Sequence, residues 1–132
     1  KIKPGVKFSA IAELSDKVLA DGLHKAGLLK DKKEIKKYSL HGVGHHIGLD
    51  THDAVPHSKT LKADFDTFKP GNVLTIEPGL YFTEGMKEIP KKFWGIGVRI
   101  EDDILVTRTG CVNLSEDLVK EADDIEDAMG DN

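Results

Sequence analysis

The fold of this chain is decided by the stretch Gly97-Val98-Arg99-Ile100-Glu101-Asp102-Asp103-Ile104-Leu105-Val106-Thr107. Two short apolar runs, 97–101 and 104–107, flank a pair of aspartates, which predicts two antiparallel strands joined by a hairpin turn at Asp102-Asp103. Upstream, Val73-Leu74-Thr75-Ile76-Glu77 predicts another strand, which Pro78-Gly79 closes. We therefore expect short β-strands, broken by glycine and proline, between residues 38 and 109.

The first forty residues have a helical pattern instead. Apolar side chains recur at three- to five-residue steps from Ile11 to Ala26, which predicts one helix with a buried stripe, an N-cap at Ser9 and an end near Gly27. The lysine-rich run 30–37 contains no aromatic residue, and we interpret it as a solvated linker or short exposed helix. A helix followed by antiparallel strands indicates an α+β fold, with helices packed on an antiparallel sheet.

Composition limits the class of protein further. The 132 residues are 39% hydrophobic and 32% charged, which is typical of one globular domain. The net charge of −4 comes from an acidic tail, 115–132, so no basic surface indicates a nucleic-acid partner. The single cysteine, Cys111, excludes an internal disulfide framework, and no apolar run approaches the roughly 18 residues of a membrane span. We expect a cytoplasmic protein with no membrane partner.

Histidines are concentrated in one segment. Four of the six histidines lie between His41 and His52, in the run His41-Gly-Val-Gly-His45-His46-Ile-Gly-Leu-Asp-Thr-His52-Asp53. Its glycines disfavour a helix and permit close approach of the backbone to a ligand or metal. Histidine is the commonest neutral metal ligand and a proton carrier near neutral pH, so the segment is a candidate functional site.

Carboxylates on the predicted strands extend this candidate site. Because side chains alternate along a strand, Glu77 shares a face with Thr75, and Glu101 shares a face with Arg99. Arg99 could orient a neighbouring ligand or form a surface ion pair with Glu101. Imidazole and carboxylate ligands together suit Mn, Co, Zn or Fe.

The order of these motifs resembles the pita-bread metallopeptidases, and within them the proline-specific branch of Xaa-Pro aminopeptidases and Xaa-Pro dipeptidases (prolidases). The resemblance covers roughly residues 1–115. The residues that carry it are His41-Gly-x-x-His45, Gly48-Leu49-Asp50-x-His52-Asp53, Thr75-Ile76-Glu77-Pro78-Gly79-Leu80-Tyr81 and Gly97-Val98-Arg99-Ile100-Glu101-Asp102-Asp103.

The resemblance implies a role for each matching residue. His45, Glu77 and Glu101 match metal ligands, and Glu77 also matches the general base that carries the proton. His41 and His52 match pocket histidines that stabilise the tetrahedral intermediate. The supporting residues around the site are matched by Arg99 and Tyr81.

One departure from the family pattern is informative. Family members hold two divalent ions, with Mn expected first and Co or Zn as alternatives, and two of the ligands are aspartates on upstream strands. No matching aspartates precede the helix here. We therefore expect residues 1–132 to be the C-terminal part of one catalytic domain, with a site that is empty or mononuclear, no peptidase activity of its own, and self-association into a homo-oligomer through strands 73–77 and 97–107.

The function implied is metal-dependent hydrolysis of an Xaa-Pro bond at the N-terminus of a peptide with proline in the second position. An Xaa-Pro dipeptidase is an open alternative. Methionine aminopeptidases and creatinases share the fold, but the former usually carry Phe-His-Glu where this chain has Thr51-His52-Asp53. A non-catalytic binding module of the same fold would tend to lose the ligands that this chain retains.

Overall fold

The structure, a computed structural model, describes residues 1–53 and 66–130. It contains helices and antiparallel strands, which confirms the α+β class. In chain order the elements are helix α1 (Phe8–Lys25), a 3₁₀ helix (Lys32–Lys37), strands β1 (Val73–Ile76) and β2 (Gly79–Phe82), a second 3₁₀ helix (Lys91–Phe93), strands β3 (Ile96–Arg99), β4 (Asp102–Val106) and β5 (Cys111–Asn113), and helix α2 (Ala122–Gly130).

Helix α1 begins and ends for different reasons. The predicted N-cap at Ser9 is wrong, because Lys7 is the N-cap and Ser9 lies in the first turn. The carboxylate of Asp66 takes over the capping, since it accepts the backbone N–H of Ser9 at 3.0 Å and its hydroxyl at 2.9 Å. At the other end Gly27 adopts a φ of 74°, a left-handed conformation that stops a helix and that favours glycine.

The strands form three antiparallel ladders in two sheets, and the β1–β4 and β2–β3 ladders share one register. β1 pairs with β4, which also pairs with β5, and β2 pairs with β3. Ile76 pairs with Asp102 and Gly79 pairs with Arg99, so the residues between the ladders remain in step. The ladder is interrupted at Pro78, which has no N–H to donate. Residues 73–82 and 96–106 are therefore one long ribbon with a break at its centre.

The predicted hairpin turn at Asp102-Asp103 is wrong, because both aspartates belong to β4. The hairpin instead joins β4 to β5, where the N–H of Thr107 donates to the carbonyl of Gly110 at 2.9 Å. Asp102 is tolerated in β4 because hydrogen-bond donors from the segment that follows the hairpin satisfy its carboxylate. The hydroxyl of Ser115 donates to Asp102 at 2.8 Å. Burial raises the pKa of Asp102, but hydrogen bonds from its neighbours, Asn113 foremost, lower it to below its usual value.

The histidine segment covers the free edge of β1. The N–H of Ile47 donates to Val73 O at 3.0 Å, and the N–H of Glu77 donates to Val43 O at 2.7 Å. Residues 43–47 thus run antiparallel to β1 without forming a helix. Gly44 makes this approach possible, because a Cβ there would overlap the carbonyl of Thr75. β1 therefore has a neighbour on both sides and is not an open edge, contrary to our expectation for strand 73–77.

Two clusters of buried side chains lie beneath the ribbon, and α1 contributes to both. One cluster joins Ile11 to the inward side chains of β1 and β4, namely Leu74, Ile104 and Val106, together with Phe68. The other joins Ala20 and Leu23 to Leu29, Ile35, Tyr38 and Ile89. Because Leu74 points into the core, the alternating residues Thr75 and Glu77 are turned to the opposite face of β1.

The remaining surface contains apolar side chains on β3 and α2. Ile96 and Val98 are exposed on β3, Ile100 is exposed just after it, and α2 has no buried residue. None of the helices in the described ranges has the length and apolar character needed to cross a lipid bilayer.

Candidate metal centre

His45, Glu77 and Glu101 converge because of strand register. His45 lies opposite Thr75 across the edge of β1, so it shares a face with Thr75 and Glu77. Extending the pairing of Ile76 with Asp102 by one residue places Glu77 opposite Glu101. One ligand atom from each of the three side chains lies within 4.8 Å of the other two. No other group of this kind occurs in residues 1–53 and 66–130.

The imidazole of His45 is oriented by its backbone neighbour. Its Nδ1 lies 3.0 Å from the carbonyl oxygen of His46, which fixes the proton on Nδ1 because a carbonyl can only accept. In the neutral imidazole Nε2 then carries the lone pair, and it lies 3.4 Å from Oε1 of Glu77. Two electron-pair donors facing each other at this distance suit a bound cation.

Glu77 is the most buried of the three ligand candidates, with 8% of its surface exposed. The hydroxyl of Thr75 donates to its Oε1 at 3.0 Å and accepts the backbone N–H of His45 at 3.0 Å. Thr75 therefore joins two ligand-bearing segments. Sequence analysis did not assign a role to Thr75, although strand alternation placed it on the face of Glu77.

Arg99 lies beside both carboxylates. Its Nη1 is 3.6 Å from Oε2 of Glu77, and its Nε is 3.4 Å from Oε2 of Glu101. The other carboxylate oxygen of Glu77, Oε1, faces His45. One guanidinium therefore offsets part of the repulsion between two facing carboxylates, and these residues together keep a net negative charge.

His41 and Tyr81 form a pair beside Gly79 and Gly97. Nε2 of His41 lies 2.7 Å from the hydroxyl of Tyr81, and Nδ1 lies 2.7 Å from the carbonyl of Gly42. Both ring nitrogens are thus engaged. Gly79 and Gly97 leave room for the pair, because a Cβ on Gly79 would lie 2.8 Å from His41 Nε2 and one on Gly97 would lie 2.7 Å from the Tyr81 ring.

His52 is exposed and stands perpendicular to His45, with ring centroids 4.3 Å apart. It lies outside the group of three ligand candidates, although it contacts one of them. His52 is therefore a second imidazole that contacts the cluster without being part of the ligand set.

Comparison with known proteins identifies the class. Residues 1–108 match the model of metallopeptidase family M24. "Xaa-Pro aminopeptidase 1" of Streptomyces coelicolor is 41% identical over 135 residues, which cover 97% of this chain and 27% of that protein. The solved aminopeptidase PepP of Pseudomonas aeruginosa superposes with a TM-score of 0.86 at 35% identity, and the match covers 98% of this chain and 30% of that one.

A third similar protein is a zinc-substituted aminopeptidase P from E. coli in complex with product, which has a TM-score of 0.81 and 36% identity over 98% of this chain and 30% of that one. The chain belongs to metallopeptidase family M24 and has the pita-bread fold of the aminopeptidase P structures, so the predicted family is confirmed. It spans between a quarter and a third of the length of these three proteins.

The donor set fits the divalent metal that this family implies. One imidazole nitrogen with a free lone pair and two carboxylates supply mixed nitrogen and oxygen ligands to one point. Borderline divalent ions such as Mn, Co and Zn accept this combination, whereas a thiolate-seeking ion would not select it.

Proposed function

We propose that this chain supplies metal ligands and substrate-facing groups to an aminopeptidase that hydrolyses the bond between the first residue of a peptide and a proline in second position. The observation that carries the proposal is the convergence of His45, Glu77 and Glu101 on one face of the ribbon. The names of the similar proteins support the aminopeptidase over the dipeptidase.

His45, Glu77 and Glu101 would hold the ion. A divalent ion bound there would polarise the substrate carbonyl and lower the pKa of an attacking water. Glu77 is suited to take the proton of that water and return it to the leaving proline nitrogen, because its carboxylate is buried and held by Thr75. Arg99 keeps the second oxygen of Glu77 oriented during this transfer.

We propose that two histidines bind the developing oxyanion. They differ in whether a ring nitrogen is free to donate to it. His52 is exposed beside His45 and can donate directly. His41 already contacts Tyr81 and Gly42 through its two ring nitrogens, so direct donation would require the Tyr81 hydroxyl to move. Tyr81 and Arg99 keep the supporting roles that the resemblance implies.

Manganese is our proposed ion, with cobalt and zinc as alternatives, and we propose that further ligands come from outside these 132 residues. The chain spans less than a third of the length of these similar proteins, which supports this arrangement. Two carboxylates also leave two divalent ions undercompensated. On this view the isolated chain binds one ion weakly or none, and it has no peptidase activity. The cytoplasmic location stays a prediction.

Self-association is also proposed, through β3 rather than β1. Ile96 and Val98 expose 45% and 56% of their surfaces on this strand, and Ile100, just beyond its end, exposes 47%. An exposed strand with a row of apolar side chains favours pairing with another chain. Analytical ultracentrifugation of the chain and of a Val98→Lys variant tests this, and a monomeric wild type would overturn it.

The metal centre is tested by Mn²⁺ titration of the 132-residue chain, followed by the electron paramagnetic resonance of free Mn²⁺. We expect saturable binding of one ion or fewer per chain, with loss of binding in Glu101→Gln. Glu84→Gln is the matched control, because Glu84 is an exposed glutamate outside the cluster. Equal binding by both variants would contradict the ligand assignment.

The peptidase function is tested in a chimera in which these 132 residues replace the corresponding segment of the E. coli aminopeptidase P. We expect metal-dependent cleavage of a peptide with proline second, and loss of cleavage with Glu101→Gln but not with Glu84→Gln. A folded chimera that binds metal but cleaves nothing would favour the non-catalytic binding module.

A further inference from the structure

Behind the metal cluster, a lysine joins the C-terminal segment to the start of β4. The ammonium of Lys120 lies 3.1 Å from Oδ1 of Asp102 and donates to the carbonyls of Ser115 at 2.7 Å and Leu118 at 2.9 Å. An ammonium has three donors, and three acceptors surround this one. Lys120 is also only 21% exposed, so the contact is a fixed junction rather than a mobile surface pair.

Ser115 completes the junction. Its hydroxyl donates to Asp102 at 2.8 Å and accepts the backbone N–H of Asp103 at 3.0 Å. The side chain and the backbone of the first residues of β4 are therefore both held by the segment that follows β5.

Glu101 needs such a support because it lies in the break of the ribbon. Neither Ile100 nor Glu101 belongs to a strand, and a backbone hydrogen bond runs nearby from the N–H of Ile100 to Pro78 O at 3.3 Å. Asp102 is the next residue, and its side chain points to the opposite face from that of Glu101. Holding Asp102 on one face therefore fixes the direction of Glu101 on the other.

The two segments line one cavity at this point. It measures about 220 Å³, and it is lined by Arg99, Ile100 and Glu101 on one side and by Leu118, Val119, Lys120 and Ile125 on the other. Both the last metal-ligand candidate and the lysine thus border the same space.

We propose that Lys120 is a positioning residue of the metal centre, which acts through Asp102 and the Ser115 hydroxyl to hold Glu101 in the direction of His45 and Glu77. This inference rests on the proposed metal centre. It assigns no contact between Lys120 and substrate or metal. Partners that orient a ligand typically change metal affinity by 10- to 100-fold when they are removed.

The test is the Mn²⁺ dissociation constant of the 132-residue chain, measured by electron paramagnetic resonance, for the wild type, Lys120→Met, Lys120→Arg and Lys36→Met. Lys36 pairs with Asp16 at 2.7 Å on the surface of the helical region, so Lys36→Met removes a comparable ion pair far from β4 in sequence. We expect about tenfold weaker binding in Lys120→Met, partial recovery in Lys120→Arg, and no change in Lys36→Met.

Thermal unfolding of the metal-free chains separates positioning from folding. A Lys120→Met chain that unfolds cooperatively, as Lys36→Met does, yet binds Mn²⁺ more weakly, supports the inference. Faster hydrogen exchange at the amide of Asp103 in the same variant would support it independently of metal. Unchanged affinity in Lys120→Met, or equal weakening in Lys36→Met, would overturn it. If the isolated wild-type chain binds no Mn²⁺, the same variants are compared in the chimera, where an unchanged Mn²⁺ affinity in Lys120→Met would overturn the inference. A wild-type chimera that binds no Mn²⁺ would refute the metal centre itself.

Discussion

Two regions of the molecule gather charged side chains, and they do so in opposite ways. On the surface of α1, Asp16 and Asp21 have lysine partners close by, with Lys36 at 2.7 Å from Asp16 and Lys32 at 2.7 Å from Asp21. Asp21 has a second lysine, Lys17, one turn away on the helix. In this region cations match or exceed the carboxylates that they neutralise.

The ribbon shows the reverse relation. One arginine serves two carboxylates at 3.4 and 3.6 Å. Glu77 also has a histidine at 3.4 Å and the uncharged hydroxyl of Thr75 at 3.0 Å. Longer contacts and too few cations leave this cluster unsaturated. The difference teaches that crowding of charges is not by itself a sign of function, whereas a shortage of countercharge at a buried carboxylate indicates a place for a cation.

The largest expected effect comes from removing the carboxylate at the centre of the cluster. In the chimera described above, Glu77→Ala should abolish turnover, because the variant loses a metal ligand and the general base together. Mn²⁺ affinity should fall by about 100-fold or more, beyond the loss seen for indirect partners. Turnover assays and Mn²⁺ titration check both. If Asp16→Ala, on the helix surface, were equally damaging, the distinction between the two regions would fail.

A variant of His52 separates metal binding from catalysis. His52→Ala should keep Mn²⁺ affinity near that of the wild type, because His52 lies outside the ligand group. In the chimera, kcat should fall by about 100-fold, as for loss of one oxyanion donor. Metal analysis and steady-state kinetics measure the two quantities. Loss of bound metal in this variant would make His52 a ligand instead.

Binding of Mn²⁺, which supplies the missing positive charge, should stabilise the folded chain. At a Mn²⁺ concentration 100 times its dissociation constant, unfolding should cost about 2.7 kcal/mol more than in the metal-free chain. Urea unfolding with and without Mn²⁺ measures this, and a chelator should reverse it. Glu77→Ala is the control in which the metal-dependent increment should disappear. A similar gain in that variant would place the ion elsewhere.

Arg99 should contribute most to the stability of the folded chain when no metal is bound. Arg99→Gln removes the cation between two facing carboxylates, so the metal-free chain should lose about 0.5–1 kcal/mol, a value kept small because the arginine side chain is 52% exposed. Arg108→Gln, an exposed arginine beyond β4, is the matched control. Urea unfolding of the two variants decides the outcome. A metal-free Arg99→Gln chain as stable as Arg108→Gln would mean that Arg99 does not offset carboxylate repulsion.

The sequence predicted those parts of the fold that depend on local pattern. Periodicity located α1, and Gly27 marked its end. Alternation assigned the faces of Thr75 and Glu77. The cap from Asp66 and strand β5 were missed, because both depend on contacts that the local pattern does not contain. Asp102 and Asp103 have the composition of a turn, yet strand pairing and the Ser115 contact outweigh that preference.

The candidate site was predicted in residue types, whereas its distances depend on long-range strand pairing. Residue patterns suggested nitrogen and oxygen ligands, and the family resemblance selected His45, Glu77 and Glu101 among them. Their convergence depends on two registers, that of residues 43–47 along β1 and that of the ribbon across Pro78. Register is a long-range property that single strands do not specify. The catalytic and supporting roles of these residues stay predictions until the variants are measured.

The smallest expected effect is the pH dependence of stability that arises from the surface ion pairs of α1. Hydrogen bonds from Lys17 and then Lys32 lower the pKa of Asp21 to about 2 from an ordinary 3.8. A carboxylate with a depressed pKa in the folded chain adds stability above its unfolded value, and this contribution is lost as pH falls toward 2. The urea midpoint of the wild type should therefore fall more between pH 5 and pH 2 than that of Asp21→Asn. Because the pair is exposed, the difference should be slight and should shrink at 1 M salt, where the screening length is roughly 3 Å. Asp117→Asn, at an exposed aspartate of the tail, should follow the wild type. If the urea midpoint of Asp21→Asn changed with pH as that of the wild type does, the ion pairs of Asp21 would contribute nothing measurable to stability.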